Sequence, residues 1–275
     1  MLTTTDMKKS ATTMRPLHGR TALITGSTSG IGLGVAEALA AHGATIVLNG
    51  FGDKMQIEDT RQMLEQTHNV AAFYNGSDLS KAAGVAEMMT YATSEAGDVD
   101  ILVNNAGIQH VAPVDEFPVE KWDAILAINL TAAFHAIRAA LPAMKKNGYG
   151  RIINVASAHG LVGSPYKSAY VAAKHGVLGL TKVVALEAAQ ANVTCNAICP
   201  GYVYTPLVEK QIPEQAKELG ISEDEVIRHV MLGETVDGQF TAVGDIGETI
   251  RFLCEFPSAA LTGQSFIVSH GWHMQ

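Results

Sequence analysis

The chain has 275 residues, of which 47% are hydrophobic, 17% charged and 6% aromatic. That length holds one large α/β domain or two ordinary ones, and so many aliphatics with so few charges exclude a disordered chain. Nineteen Lys and Arg against 27 Asp and Glu leave a net charge of −8. With no basic block to offset it, nucleic acid is excluded as a partner. Gly, Asn, His and charges interrupt the apolar runs, so no stretch is expected to span a membrane. Cys195, Cys199 and Cys254 are an odd count, which fits free thiols in a reducing, cytoplasmic setting. Three residues separate Cys195 from Cys199 and no His pair lies near, so they read as small buried hydrophobes and no metal site is expected.

Residues 1–16 are Thr-rich and lack the apolar core of a secretory signal, so they read as a flexible tail before one domain over 17–275. Strand and helix signals then alternate. Strands are expected at 21–25, 45–49, 70–74, 99–103, 151–156, 193–198 and 265–268. Helices are expected at 35–42, 53–68, 81–96, 118–146 and 168–190, with Gly43 and Gly148 as stops. The strands are continuous apolar runs, so both faces are covered. Strand–helix repetition implies right-handed crossovers and a doubly wound, Rossmann-type parallel sheet of seven strands. A helical insertion over 206–232 lies beyond the end of the sixth strand, where ligands bind in such sheets, and reads as a substrate lid or a surface hairpin.

Between the first strand and first helix stands Thr25-Gly26-Ser27-Thr28-Ser29-Gly30-Ile31-Gly32. Gly26 permits a sharp turn, Gly30 lets backbone approach a pyrophosphate at the helix N-terminus, and Gly32 allows close helix–strand packing. The spacing Gly-x-x-x-Gly-x-Gly differs from the more familiar Gly-x-Gly-x-x-Gly. An acid ending the second strand would bind ribose hydroxyls and a basic residue a 2′-phosphate. Asn49-Gly50-Phe51-Gly52 has neither, and Asp53 follows, which favours NAD; Arg20 is the residue that could still reach a phosphate. Phe51 is placed to line an adenine pocket. Asp78, before Leu79, either accepts from the adenine amino group or caps a helix.

Asn104-Asn105-Ala106-Gly107 follows the fourth strand and Ser157 the fifth, while Tyr170 and Lys174, four apart, share one helix face. A Tyr-x-x-x-Lys pair alone is a common coincidence. Here it accompanies a glycine loop and two further strand-end motifs.

Together these residues, with Asn129 and Pro200-Gly201, identify a resemblance to the short-chain dehydrogenase/reductase family over nearly the whole chain from Leu17. The resemblance implies a catalytic tetrad of Asn129, Ser157, Tyr170 and Lys174. Tyr170 would take the hydroxyl proton as hydride leaves for the nicotinamide, its pKa drawn down by the Lys174 ammonium. Lys174 would also bind the nicotinamide ribose, Ser157 hold the substrate oxygen, and Asn129 hold a water in a proton wire. It further implies cofactor contacts from Gly26, Thr28, Ser29, Gly30, Ile31 and Gly32 in the first loop. Phe51, Asp78, Leu79, Asn105, Ala106 and Gly107 would add theirs at the next strand ends. Beside Tyr170 and Lys174, Pro200, Gly201, Val203 and Thr205 would complete the site.

Within the family, the closer resemblance is to the bacterial branch acting on D-3-hydroxybutyrate. Residues 48–53, 104–110, 156–160, 167–170 and 205–211 carry it. It implies substrate contacts from Gln109, Ser157, His159, Lys167, Tyr170 and Gln211, and a homotetramer built on the two long helices. A small anionic hydroxy acid suits one cation and several donors. The rival expectation is an NADPH-dependent 3-oxoacyl-thioester reductase, whose substrate has no free carboxylate for Lys167. Tyr202 stands where that branch tends to carry Trp, Pro165-Tyr166 is bulkier than usual, and His270 replaces a glycine.

Overall fold

The computed structural model describes residues 15–274. Nearly all of the expected N-terminal tail therefore lies outside the described residues. Strands β1 (Thr21–Ile24), β2 (Thr45–Asn49), β3 (Ala72–Asn75), β4 (Ile101–Asn104), β5 (Gly150–Val155), β6 (Val193–Pro200) and β7 (Ser265–Val268) form one sheet in the order β3-β2-β1-β4-β5-β6-β7. Every pairing is parallel. The strand order reverses between β1 and β4, and ligands of such sheets bind at that switch point.

Alternation within each apolar run divides the core in two. Ala22, Ile24, Ile46, Leu48, Ile101 and Val103 face one layer. There they meet Val35 and Leu39 of α1 (Gly30–Ala41), Leu64 of α2 (Lys54–His68) and Ile246, Ile250 and Leu253 of α9 (Val243–Glu255). Leu23, Val47, Leu102 and Ile152 face the other. Their partners are Val85 and Met88 of α3 (Ala82–Ala96), Ile137 and Met144 of α5 (Ala132–Asn147) and Val184 of α6 (Ser168–Ala188). Burial on both faces explains why the strands read as unbroken apolar runs. The edge strand β7 is only half-buried along its length.

The expected helix over 118–146 is two helices, α4 (Val119–Leu126) and α5, joined by a π-helical turn at Ala127–Thr131 that carries Asn129. Such a turn widens the helix by one residue per turn, and no propensity rule marks it. The first helix starts at Gly30, five residues before the expected start, because the glycine loop itself forms its first turn. Helix α9 was not expected. Its buried Ile246, Ile250, Leu253 and Cys254 recur at helical spacing, but Gly244 and Gly247 interrupt the propensity.

Two stretches, Val119–Asn147 and Ser168–Ala191, are long and apolar enough to cross a membrane by length and composition. This corrects the expectation that none would be. Both lie with one face packed onto the sheet or its neighbouring helices, so their apolarity has a role in the core. The expected insertion is α7 (Pro206–Leu219), the short α8 (Glu223–Glu225) and a π-helical turn at Val226–Met231. They close on their own small core of Val208, Ile212, Val226 and Met231. The three cysteines are free and buried.

Candidate active site

The first loop is built against the loop after β4. Gly26 has φ +62°, a conformation glycine adopts without strain. The Asn105 amide donates to the carbonyls of Thr25 and Gly26 at 2.9 Å each. Thr25 Oγ1 accepts from the backbone N–H groups of Asn105 and Ala106 at 2.9 and 3.0 Å. A Cβ on Gly32 would lie 2.3 Å from the Gly26 carbonyl and 2.6 Å from Asn105 Nδ2. Gly32 accordingly packs helix to loop and does not line the cleft, whereas Gly26, Gly30 and Ile31 do. The result is a backbone cradle at the N-terminus of α1, suited to a pyrophosphate.

At the end of β2, Asn49 is buried and its amide donates to the carbonyls of Asn75 and Ser77 at 3.0 and 3.3 Å. Thr28 Oγ1 donates to the Phe51 carbonyl at 2.9 Å. Phe51 is 67% exposed on the rim of the cleft. Asp78 also lines the cleft, yet its Oδ1 accepts from the Ser80 N–H at 2.9 Å, so it does cap the turn before α3. Asp53 is occupied at the N-terminus of α2, accepting from the N–H groups of Met55 and Gln56 at 3.0 Å each. Arg20 is not in the cleft. It pairs with Asp100 at 2.9 Å and lies 3.6 Å over the Tyr149 ring.

Ser157, Tyr170 and Lys174 gather at the end of β5 and line the cleft, whereas Asn129 does not line it. Ser157 follows the strand, and its Oγ accepts from the His159 N–H at 3.1 Å. Lys174 Nζ is buried and donates to the Val155 carbonyl at 2.7 Å, 5.5 Å from the centre of the Tyr170 ring. Burial pushes the Lys174 ammonium down to about 8. Burial raises the Tyr170 phenol, and a hydrogen bond with Ser157 pulls the other way. Asn129 is buried beneath this group. Its Oδ1 accepts from Ile108 N–H and its Nδ2 donates to the Ile108 carbonyl, both at 2.9 Å. The π-helical turn therefore pins the loop leading to Gln109.

Beyond Tyr170 the cleft changes character. Lys167, at the N-cap of α6, is 6% exposed. Its Nζ donates to Tyr202 Oη at 3.3 Å, and among the described residues it makes no ion pair. Burial pushes it down to about 8. His159 is pushed down to about 3 by burial and by the Lys167 charge, so its ring is neutral. Gln109 Nε2 is buried and has no partner among the described residues. Gln211 comes from α7 and is 9% exposed. All four line the same cleft as Tyr170, Pro200, Gly201, Val203 and Thr205.

One wall residue escapes a motif-based reading. Trp272 enters from the C-terminal end, its ring 5.0 Å from His159 and stacked 5.7 Å from Tyr202. Its Nε1 donates to Glu234. A lone aromatic near a chain end carries no local signal of this kind. His270 has φ +50° and Tyr166 φ +65°. The non-glycine residue at 270 thus takes the left-handed turn its departure implied, and its Nδ1 meets Asp237 at 2.7 Å.

The family model for short chain dehydrogenase matches residues 20–216. A D-beta-hydroxybutyrate dehydrogenase of Cupriavidus necator is 53% identical, covering 94% of this chain and 100% of that one. One from Rhizobium meliloti is 51% identical over 93% and 99%. More distant is a 3-oxoacyl-[acyl-carrier-protein] reductase of Staphylococcus epidermidis, 32% identical over 93% and 99%. Among solved structures, an actinorhodin polyketide ketoreductase with NADPH aligns with TM-score 0.86 at 31% identity, over 92% of this chain and 97% of that one. On fold, site and likeness alike, the chain belongs to the short-chain dehydrogenase family of oxidoreductases, which work with a nicotinamide cofactor.

Proposed function

We propose that the enzyme interconverts D-3-hydroxybutyrate and acetoacetate with NAD. The observation that carries this reading is Lys167, buried beside Tyr170 and, among the described residues, in no ion pair with a carboxylate. A buried cation without a counter-charge is costly, and a substrate carboxylate supplies the missing charge. Gln109, His159 and Gln211 line the same part of the chain's cleft and bring polar side chains to it. The activity named for the relatives at 53% and 51% identity agrees with it.

The preference for NAD rests on the adenosine end. Asn49, Gly50, Phe51, Ser77, Asp78 and Leu79 line it without a basic side chain, and Arg20 is committed to Asp100. A 2′-phosphate would find no cation there and would face Asp78.

A nicotinamide held by the loop residues Gly26 and Gly30 and by Lys174 would supply the acceptor for the hydride of the substrate carbon. Tyr170 takes the hydroxyl proton in the same act. With its phenol raised by burial, the charge of Lys174 and that of an oxidised nicotinamide must bring it toward the working pH. Ser157 holds the substrate oxygen and meets its developing charge. Lys174 keeps two further N–H donors for the cofactor ribose after its bond to Val155. Asn129, its side chain engaged with Ile108, retains one N–H and one lone pair for a water in the proton path. Helix α7 brings Gln211 over the site as a lid. The exposed apolar side chains Phe134 of α5 and Val183 and Leu186 of α6 suit subunit contacts in a homotetramer.

A thioester reductase is the competing reading. It would leave Lys167 buried without purpose. Initial rates with D- and L-3-hydroxybutyrate, with NAD and NADP, test the assignment. The D-enantiomer with NAD should exceed each alternative at least about tenfold in kcat/KM, a difference of roughly 1.4 kcal/mol. Parity with NADP, or preference for a 3-oxoacyl thioester, would overturn it.

A further inference from the structure

We propose that Tyr202 is a carboxylate-binding and specificity-determining residue, its hydroxyl donating to the substrate anion while its oxygen holds the Lys167 ammonium in place. This rests on the carboxylate reading of the site.

The argument is one of hydrogen-bond direction. Lys167 carries donors only, so in its 3.3 Å contact with Tyr202 the ammonium donates and the phenol oxygen accepts. The phenol hydrogen must then point elsewhere. Among the described residues it has no acceptor, and Tyr202 lines the cleft together with Lys167, Gln109, His159 and Gln211. The carboxylate whose charge acts on Tyr202, that of Glu234, accepts from Trp272 Nε1, and a cation with a free hydroxyl hydrogen beside it suits a further anion.

The ring is rigidly placed for this task. It stacks on Trp272 at 5.7 Å and meets the His159 ring edge-on at 6.3 Å. Burial pushes the Tyr202 phenol up to about 12, so it keeps its proton. One hydroxyl thus serves two ends: it orients Lys167 and adds a donor that a plain aromatic wall lacks. Such a pairing discriminates a free acid from its neutral ester, because an ester oxygen accepts weakly and brings no charge for Lys167.

Tyr202→Phe keeps the ring, the stack and the shape, and removes only the hydroxyl. Steady-state kinetics on D-3-hydroxybutyrate and its methyl ester, with acetate as an inert competitive inhibitor, decide the matter. For the variant, KM for the acid and Ki for acetate should rise together by roughly tenfold, as for loss of one charge-assisted hydrogen bond, while kcat stays within about threefold and ester kinetics do not move. Thermal melting confirms that the variant is folded. An unchanged KM and Ki would overturn the proposal, as would a fall in kcat alone. Failure of the underlying reading looks different: the wild-type enzyme itself would then turn over the ester as well as the acid.

Discussion

The two ends of the cleft satisfy their hydrogen bonds differently. At the cofactor end, Thr25, Asn49 and Asn105 direct their side chains to the protein's own backbone. What remains for a ligand is mostly glycine backbone and empty space. At the substrate end, most of the Lys167 ammonium and the Tyr202 hydrogen are left unspent among the described residues. A satisfied polar group builds scaffold and an unsatisfied buried one calls for a water or a ligand; at the cofactor end Ser77 Oγ is of the second kind. Two lysines of one helix show the contrast. Lys174 is anchored on the Val155 carbonyl and Lys167 only on a phenol. Burial pushes each down to about 8.

The comparison can be broken in several places. The largest effect is expected between the two ends: Tyr170→Phe should lower kcat about a thousandfold while NADH fluorescence titration gives nearly unchanged binding, since only the proton acceptor is lost. Retained turnover would remove Tyr170 from its role. Gly32→Ala attacks the scaffold end. Its Cβ would collide with the Gly26 carbonyl, so Tm should fall by several degrees, for about 1–3 kcal/mol of overpacking, and KM for NAD should rise with KM for the acid little changed. A change confined to the acid would contradict the division.

A third test uses pH. Lys167 is charged below about 8 and loses its proton above it. His159 is already neutral through this range and Tyr202 keeps its proton. KM for the acid should therefore climb as pH rises from 7 to 9, by roughly tenfold per unit once past the Lys167 pKa. A flat profile would remove the ammonium from binding. The smallest effect should come from His270→Gly. It relieves a left-handed turn (φ +50°) and loses the contact with Asp237. With these opposed, Tm should move by less than about 4 °C and the kinetics not at all.

The scaffold end was readily legible in the sequence. Glycine spacing, apolar strand runs and strand-end asparagines are local signals, and each needs only neighbours in the chain to be interpreted. The family resemblance that implied the tetrad rests on the same loops. Harder to read were features whose cause lies far away. The π-helical turn at Asn129 answers to Ile108, 21 residues back. Helix α9, two glycines notwithstanding, is held by packing against α1. Trp272 becomes a pocket wall only because β7 brings the C-terminal end beside Tyr202. Arg20, a candidate phosphate ligand by sequence position, is removed by Asp100 at the start of the neighbouring strand.

The central claim is that Lys167 is buried for the sake of a substrate carboxylate. Steady-state kinetics of Lys167→Ala on D-3-hydroxybutyrate address it most directly. KM should rise roughly ten- to a hundredfold, for the loss of about 1.5–3 kcal/mol of charge-assisted hydrogen bonding, with kcat nearly preserved. An unchanged KM, or a loss confined to kcat, would contradict the account.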